Sequence, residues 1–288
     1  MPAKEYDGRM PNKVVSLALS THPGPAVAVT LVTVVLGLGV GLDGWRVALL
    51  GVAMLANQAS VGLSNDWIDA ERDRAVGRTD KPVARGWVSP GAVRTAAFAT
   101  AVASVLLTLP LGWGATLAQF VFIASAWSYN AGLKKTALSV LPYVISFGLL
   151  PAIVTLSLTH PAFAQPWALA MGALLGVAAH FANVLPDLAD DAATGVRGLP
   201  HRLGRRTVAV LSYAVLAVAA LIGFLGVRGA NPAVTVVALL ALVANAGIAA
   251  VGVVIAVRPT RWHFRLIIAS AIIDVVVLAL AGERLLLR

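Results

Sequence analysis

Two groups of acids in this chain are spaced for chemistry. Asn65, Asp66, Asp69 and Asp73 form the first, with Glu71 inside it; Asp187, Asp190 and Asp191 form the second. If a helix continues through the first group, separations of three and four residues stack Asp66, Asp69 and Asp73 on one face with Asn65 alongside, and Asp187 and Asp191 repeat the four-residue step. Like charges at that spacing repel unless they share a cation. Carboxylate oxygens are hard donors, and Mg²⁺ typically takes one or two of them and completes its octahedron with water and substrate phosphate oxygens. Two such ledges facing one another suit a diphosphate bridged by metal ions. The plain alternative is a pair of solvated helix ends neutralised by Arg72, Arg74, Arg78 and Arg197. It suits a single acid better than two groups that repeat one spacing. The chain has no Cys, so thiolate ligands, disulfides and a cysteine nucleophile are excluded, and any metal is held by oxygen or imidazole.

The elements that position these acids are apolar. The 288 residues are 59% hydrophobic and 12% charged, and mean hydropathy is +0.84; a soluble domain carries about 25% charged residues. The chain therefore reads as all-α, a polytopic membrane bundle. Runs of roughly 20 apolar residues cross a hydrocarbon core about 30 Å thick. They predict nine transmembrane helices near 14–42, 45–64, 91–110, 113–132, 138–158, 166–186, 207–227, 232–256 and 265–282. No separate soluble domain interrupts them, so residues 1–288 form a single membrane-embedded unit, with acidic motif 1 at 65–73 and acidic motif 2 at 187–191.

Basic residues set the orientation, because short loops rich in Lys and Arg stay in the cytoplasm. With the N-terminus inside, the tail and the loops after the second, fourth, sixth and eighth spans hold 18 of the 22 Lys and Arg residues, against Arg46, Arg228, Arg284 and Arg288 opposite. The net charge of +9 is then a topology signal. Basic residues scattered over five short segments beside lipid exclude a nucleic-acid partner. The first 13 residues carry both signs of charge and lead into a long apolar span without a cleavage site, which predicts a retained N-terminus. Both acidic motifs fall on the cytoplasmic side, in the longest loops, 65–90 and 187–206. The expected setting is a prokaryotic cell membrane, with the N-terminus and a cytoplasmic active site on the same face. The motifs lie four helices apart, as if two halves contributed one ledge each to a central cavity beneath cytoplasmic cap loops.

With these residues in view, the chain resembles the UbiA superfamily of intramembrane prenyltransferases. Asn65, Asp66, Asp69 and Asp73 match its N-D-x-x-D-x-x-x-D pattern, which continues through Gly77, Arg78, Thr79, Asp80, Lys81 and Pro82; Asp187 and Asp191 match its D-x-x-x-D pattern, followed by Gly195 and by 198–204. Two departures stand out. Val184 follows Asn183 where many members carry a second Asn-Asp pair, and Lys81 stands before Pro82 where members often have Arg, which keeps a cation but loses two-pronged phosphate recognition.

The resemblance implies a mechanism. Mg²⁺ held by Asp66, Asp69, Asp73, Asp187 and Asp191 binds the diphosphate of a polyprenyl donor, and a small acceptor captures the allylic cation left on ionisation, as in quinone or prenylated-lipid biosynthesis. It also implies diphosphate contacts from Asn65, Arg72, Arg78 and Lys81, and from Tyr129 and Lys134, a Tyr and Lys pair five residues apart after the fourth span. The expected partners are the prenyl diphosphate donor, the small acceptor and the lipid bilayer. Two other readings keep the acids. A terpene cyclase on the same scaffold captures the cation with the donor's own double bonds, and a transporter or channel uses an acidic cytoplasmic vestibule.

Other polar residues inside spans have bland explanations. Interhelical hydrogen bonding accounts for Asn57, Gln58, Asn130 and His180, although each is placed to line an acceptor pocket. Asp274, within the last span, is a costly buried acid; it is about 13 Å from Arg265 along a straight helix and has no assigned role. The tryptophans fall mostly at span ends, as interfacial belts do. Trp67 is read as one of these anchors.

Overall fold

A computed structural model of the protein describes residues 12–193, 195–256 and 261–287. The expectation for residues 1–11 of the N-terminal tail, and the side chain of Asp190, fall outside the described residues. Helices dominate, and among the described residues the only β pairing is a single bridge between Ala164 and Leu286.

The short α1 (Lys13–Leu19) runs into α2 (Pro23–Gly39) across a 62° bend. Then come α3 (Gly44–Ile68), the one-turn α4 (Ala70–Ala75), α5 (Pro90–Thr108), α6 (Trp113–Ala131) and, after a 3₁₀ turn at Leu133–Lys135, α7 (Leu141–Leu156). The second half holds α8 (Pro166–Val184), the short α9 (Leu188–Ala193) and α10 (Leu199–Leu203), and the long α11 (Arg205–Gly226), α12 (Pro232–Ile255) and α13 (Arg261–Leu280). Local chemistry explains many of the starts. Proline opens α2, α5, α8 and α12, where a missing N–H costs nothing. Asn12, Ser89 and Asn231 cap α1, α5 and α12 through side-chain oxygens.

A helix stands in each interval where a span is expected. Among the described residues, five are long and apolar enough to cross a bilayer: α3, α5 with its following turn to Leu111, α8, α11 and α12. The bent α1–α2 pair makes six if it counts as one span. The 16-residue α7 is shorter, and α6 carries Gln119, Ser125 and Asn130 along its length. Leu240, Val254 and Trp113 face outward with more than half their surface exposed, as a lipid-facing wall requires, while Leu36, Leu50, Met54, Ile153, Met171 and Leu278 fill the interior.

Small and hydroxylated residues hold the helices together, as membrane interiors favour. Ser60 and Ser104 donate to the carbonyls of Ala97 and Ala53, tying α3 to α5, and Gln119 of α6 donates to Ser104. The α7–α8 seam has a backbone cause. Pro151 inside α7 has no N–H for the carbonyl of Phe147, and Gly172 of α8 lets the helix approach that oxygen, where a Cβ would come to 2.5 Å. Gly176 repeats the approach at the carbonyl of Tyr143. The last long helix, α13, packs on α2, α8, α11 and α12, so the chain's end returns to its beginning.

Candidate active site

The first acidic group sits where α3 gives way to α4. Asp69 is the joint, yet its N–H still reaches the carbonyl of Asn65 at 3.0 Å and its own carbonyl accepts from Asp73 at 2.8 Å. The break therefore preserves helical register, and Asp66, Asp69 and Asp73 keep the common face expected from their spacing. All three carboxylates are buried, at 1%, 5% and 2% exposure. Charges so enclosed must be compensated.

Cations from three different segments compensate them. Lys81 lies 3.2 Å from Asp66 Oδ1 and 2.9 Å from Asp73 Oδ2, and it donates to Asn65 Oδ1 at 3.0 Å. Arg72 reaches Asp69 at 3.0 Å and Asp73 at 3.4 Å. Lys134, on the 3₁₀ turn after α6, meets Asp69 Oδ2 at 2.5 Å. Asn65 organises the group from beneath: its Nδ2 donates to Asp69 and to Asn130, which donates in turn to Ser64 and the carbonyl of Val61. The interhelical explanation for Asn130 holds, and its bond to Asn65 brings it into the site's support.

The two lysines are equally enclosed and titrate in opposite directions. Burial works against the Lys81 ammonium, but Asp66 and Asp73 outweigh it and hold Lys81 above the ordinary lysine value. Burial prevails at Lys134, which falls below that value despite Asp69, with Arg72 and Lys81 adding like charge.

Asp187 stands in the turn between α8 and α9 and Asp191 in α9, both partly buried. Burial lifts Asp191 above the usual carboxylate range, helped by Asp187 and opposed by Arg72, His201 and Lys134. Arg72 and Lys134 thus contact the first group and also act electrostatically on Asp191 of the second. His201 Nε2 lies 3.9 Å from Asp191, and burial lowers its pKa. The loop before α10 docks on the turn carrying Lys134, where Ser139 Oγ accepts from Leu199 N–H at 2.9 Å and pairs with His180 Nε2 at 3.1 Å.

Two residues expected at the diphosphate are otherwise engaged. Arg78 grips Asp80 through two bonds of 2.8 Å, which raise its pKa and depress that of Asp80; Asp187 and Asp73 act on it at longer range. Tyr129 packs edge-on against Tyr143 and His180, and Asp69 and Asp191 act on it electrostatically. Trp67, read as an interface anchor, is partly buried and clusters with Phe98 and Trp127. Trp45, Trp113 and Trp262 are exposed at the starts of α3, α6 and α13. Asp274 accepts from Asn245 Nδ2 at 2.8 Å and does not turn to Arg265.

Sequence reasoning missed His22. Its Nε2 lies 2.8 Å from Asp66 Oδ1 across 44 residues of sequence, a distance no motif spacing reveals. A hint was available in the Pro that follows it at the head of an apolar run.

Chemically, the group suits a hard divalent cation. Its donors are all oxygen, and Asp66 Oδ2 is buried with no hydrogen-bond partner. Among the described residues no three acids or histidines converge as a ready ligand set, because lysine ammonium groups stand between the carboxylates. A cation ligated here would take over charges that Lys81, Lys134 and Arg72 balance.

A model of the UbiA prenyltransferase family matches residues 26–271. Among solved structures, the chain is similar to a UbiA homolog from Archaeoglobus fulgidus bound to DMAPP and Mg²⁺, with 14% identity, a TM-score of 0.73, and coverage of 94% of this chain and 98% of that one. A UbiA homolog from Aeropyrum pernix K1 in its apo form is 20% identical over 92% of this chain and 96% of that one, with a TM-score of 0.65. A digeranylgeranylglyceryl phosphate synthase aligns at 14% identity and a TM-score of 0.68, covering 93% and 97%. At these identities the likeness is one of fold. No curated protein matches the chain.

Proposed function

The chain belongs to the UbiA prenyltransferase family, and from that premise we propose that it is a Mg²⁺-dependent intramembrane prenyltransferase, moving a polyprenyl group from its diphosphate to an aromatic or other small acceptor. The observation that carries this reading is the charge arrangement: three buried carboxylates on one helical face, met by Lys81 and Lys134 from other segments, with Arg72 and Lys134 acting on Asp191 as well. Homologs of this fold bound to GPP or DMAPP together with Mg²⁺ support it. In this reading the site opens to the cytoplasm, nine spans surround a central cavity, and the donor's tail lies among them.

Asp66, Asp69 and Asp73, with Asp187 and Asp191, would hold the metal, which supplies positive charge against the negative charge growing on the departing diphosphate. Lys81, Lys134 and Arg72 turn from the carboxylates to the diphosphate oxygens, stabilising the same charge in a dry site. Asn65 keeps Asp69 and Lys81 in place through the cycle. The allylic C–O bond breaks with its electron pair going to the diphosphate, the acceptor forms the new bond, and the acceptor loses one proton. Helix walls of Ala, Val and Leu keep water from the cation.

The test is release of diphosphate by purified protein in vesicles given prenyl diphosphates, Mg²⁺ and a panel of acceptors, with product masses measured. Release that depends on an acceptor is expected, and Asp66→Asn, Asp69→Asn and Asp187→Asn are each expected to abolish it while leaving folded protein. Full turnover in all three variants overturns the reading; a cyclic product without acceptor replaces transfer by cyclisation.

A further inference from the structure

We infer that His22, outside both acidic motifs, is a positioning residue that fixes the Asp66 carboxylate for its cation, which makes the α1–α2 elbow a wall of the metal site. The inference rests on the metal-binding role proposed for Asp66. A carboxylate only accepts, so the 2.8 Å contact places a hydrogen on His22 Nε2, donated to Asp66 Oδ1. Lys81 lies 3.2 Å from the same oxygen. Both neighbours therefore engage Oδ1, and Oδ2, buried and without a hydrogen-bond partner, is the atom left to a ligand.

The backbone of the elbow is built to the same end. Among the described residues His22 is the only one other than glycine with positive φ, at 54° with ψ 65°. For an L residue with a Cβ, that conformation is unfavourable, so contacts made by the residue must offset it. Pro23 starts α2 immediately after, and Gly62 of α3 admits the backbone of Thr21 so closely that a Cβ there would overlap the Thr21 carbonyl. Gly62 is one turn before Asp66, on the same helix face. The elbow is thus pressed on α3 at one point and bonded to the acid at the next.

Residues that orient a metal ligand typically change metal affinity by about 10–100-fold when removed. The full chain in detergent micelles is titrated with Mn²⁺ in the presence of inorganic diphosphate, and free Mn²⁺ is followed by electron paramagnetic resonance. His22→Phe, which keeps bulk and loses the donor, is expected to weaken Mn²⁺ binding about tenfold or more. His22→Gln, which restores an N–H, is expected to return binding towards the wild-type value. Gly62→Ala, which alters no polar group, is expected to weaken it in the same direction by lifting the elbow. Unchanged binding in His22→Phe overturns the inference, as does His22→Gln binding no better than His22→Phe. Should His22→Phe not fold, the comparison of wild type, His22→Gln and Gly62→Ala decides, and equal binding in all three overturns the inference. Absence of Mn²⁺ binding by the wild-type protein overturns the metal reading itself.

Discussion

Lys81 bridges two buried carboxylates, so replacing it with Met probes the site most sharply. At an effective dielectric of about 20, its contacts of 3.2 Å with Asp66 and 2.9 Å with Asp73 are each worth about 5–6 kcal/mol of attraction. Much of that is offset by the cost of burying an ammonium that is only 8% exposed. Breaking a buried pair on one side leaves the acids uncompensated and costs about 3–5 kcal/mol. A loss of that size lowers the melting temperature by about 10 °C in a chain of this length. Mg²⁺ should reverse part of it, because the cation enters the charge vacancy that Lys81→Met creates, whereas in the wild type the ammonium already balances the same carboxylates. The assay is unfolding in micelles followed by tryptophan fluorescence, with and without Mg²⁺. The expected pattern is a destabilised variant with a larger Mg²⁺-induced rise than wild type. A variant that melts with the wild type refutes the bridging energetics, and an equal Mg²⁺ response in both proteins refutes the argument that the two cations balance the same carboxylates.

Two further outcomes follow from named contacts. The pKa of Lys81 is raised above its ordinary 10.5, so its stabilisation is present below that value and lost as pH rises through the higher folded value; alkaline melting curves should show a loss in wild type that Lys81→Met lacks. At the α12–α13 interface, Asp274→Asn keeps an acceptor for Asn245 and should melt close to wild type, whereas Asp274→Leu strands the buried Asn245 amide and should cost about 1–3 kcal/mol in the same melting assay.

The common face of Asp66, Asp69 and Asp73 was legible because helical periodicity survives the joint at Asp69. Lys81 and Arg72 were legible for a similar reason: Arg72 lies between Asp69 and Asp73, Lys81 follows in the next loop, and the family resemblance pointed to both. Lys134 was found through that resemblance, but spacing could not say that it would meet Asp69 across 65 residues. His22 had neither a motif nor proximity in sequence, and only the bend between α1 and α2 brings it to Asp66. The packing of Trp67 on Phe98 and Trp127 was not legible, because interface position and aromatic packing give the same signal in sequence: a large ring at a helix end.

Local order and burial thus follow from the chain alone. Apolar runs must become helices, since lipid leaves backbone groups no other partner, and acids three and four apart must share a face. What sequence leaves open is the pairing of charges between helices, which depends on close approach. That approach is governed here by Gly62, Gly172 and Gly176, by the carbonyl that Pro151 leaves without its helical donor, and by an elbow in the left-handed conformation. Coulomb energy falls with distance and rises steeply on burial. Only the packed tertiary structure could decide which cation balances which acid, and which carboxylate oxygen remains for a ligand.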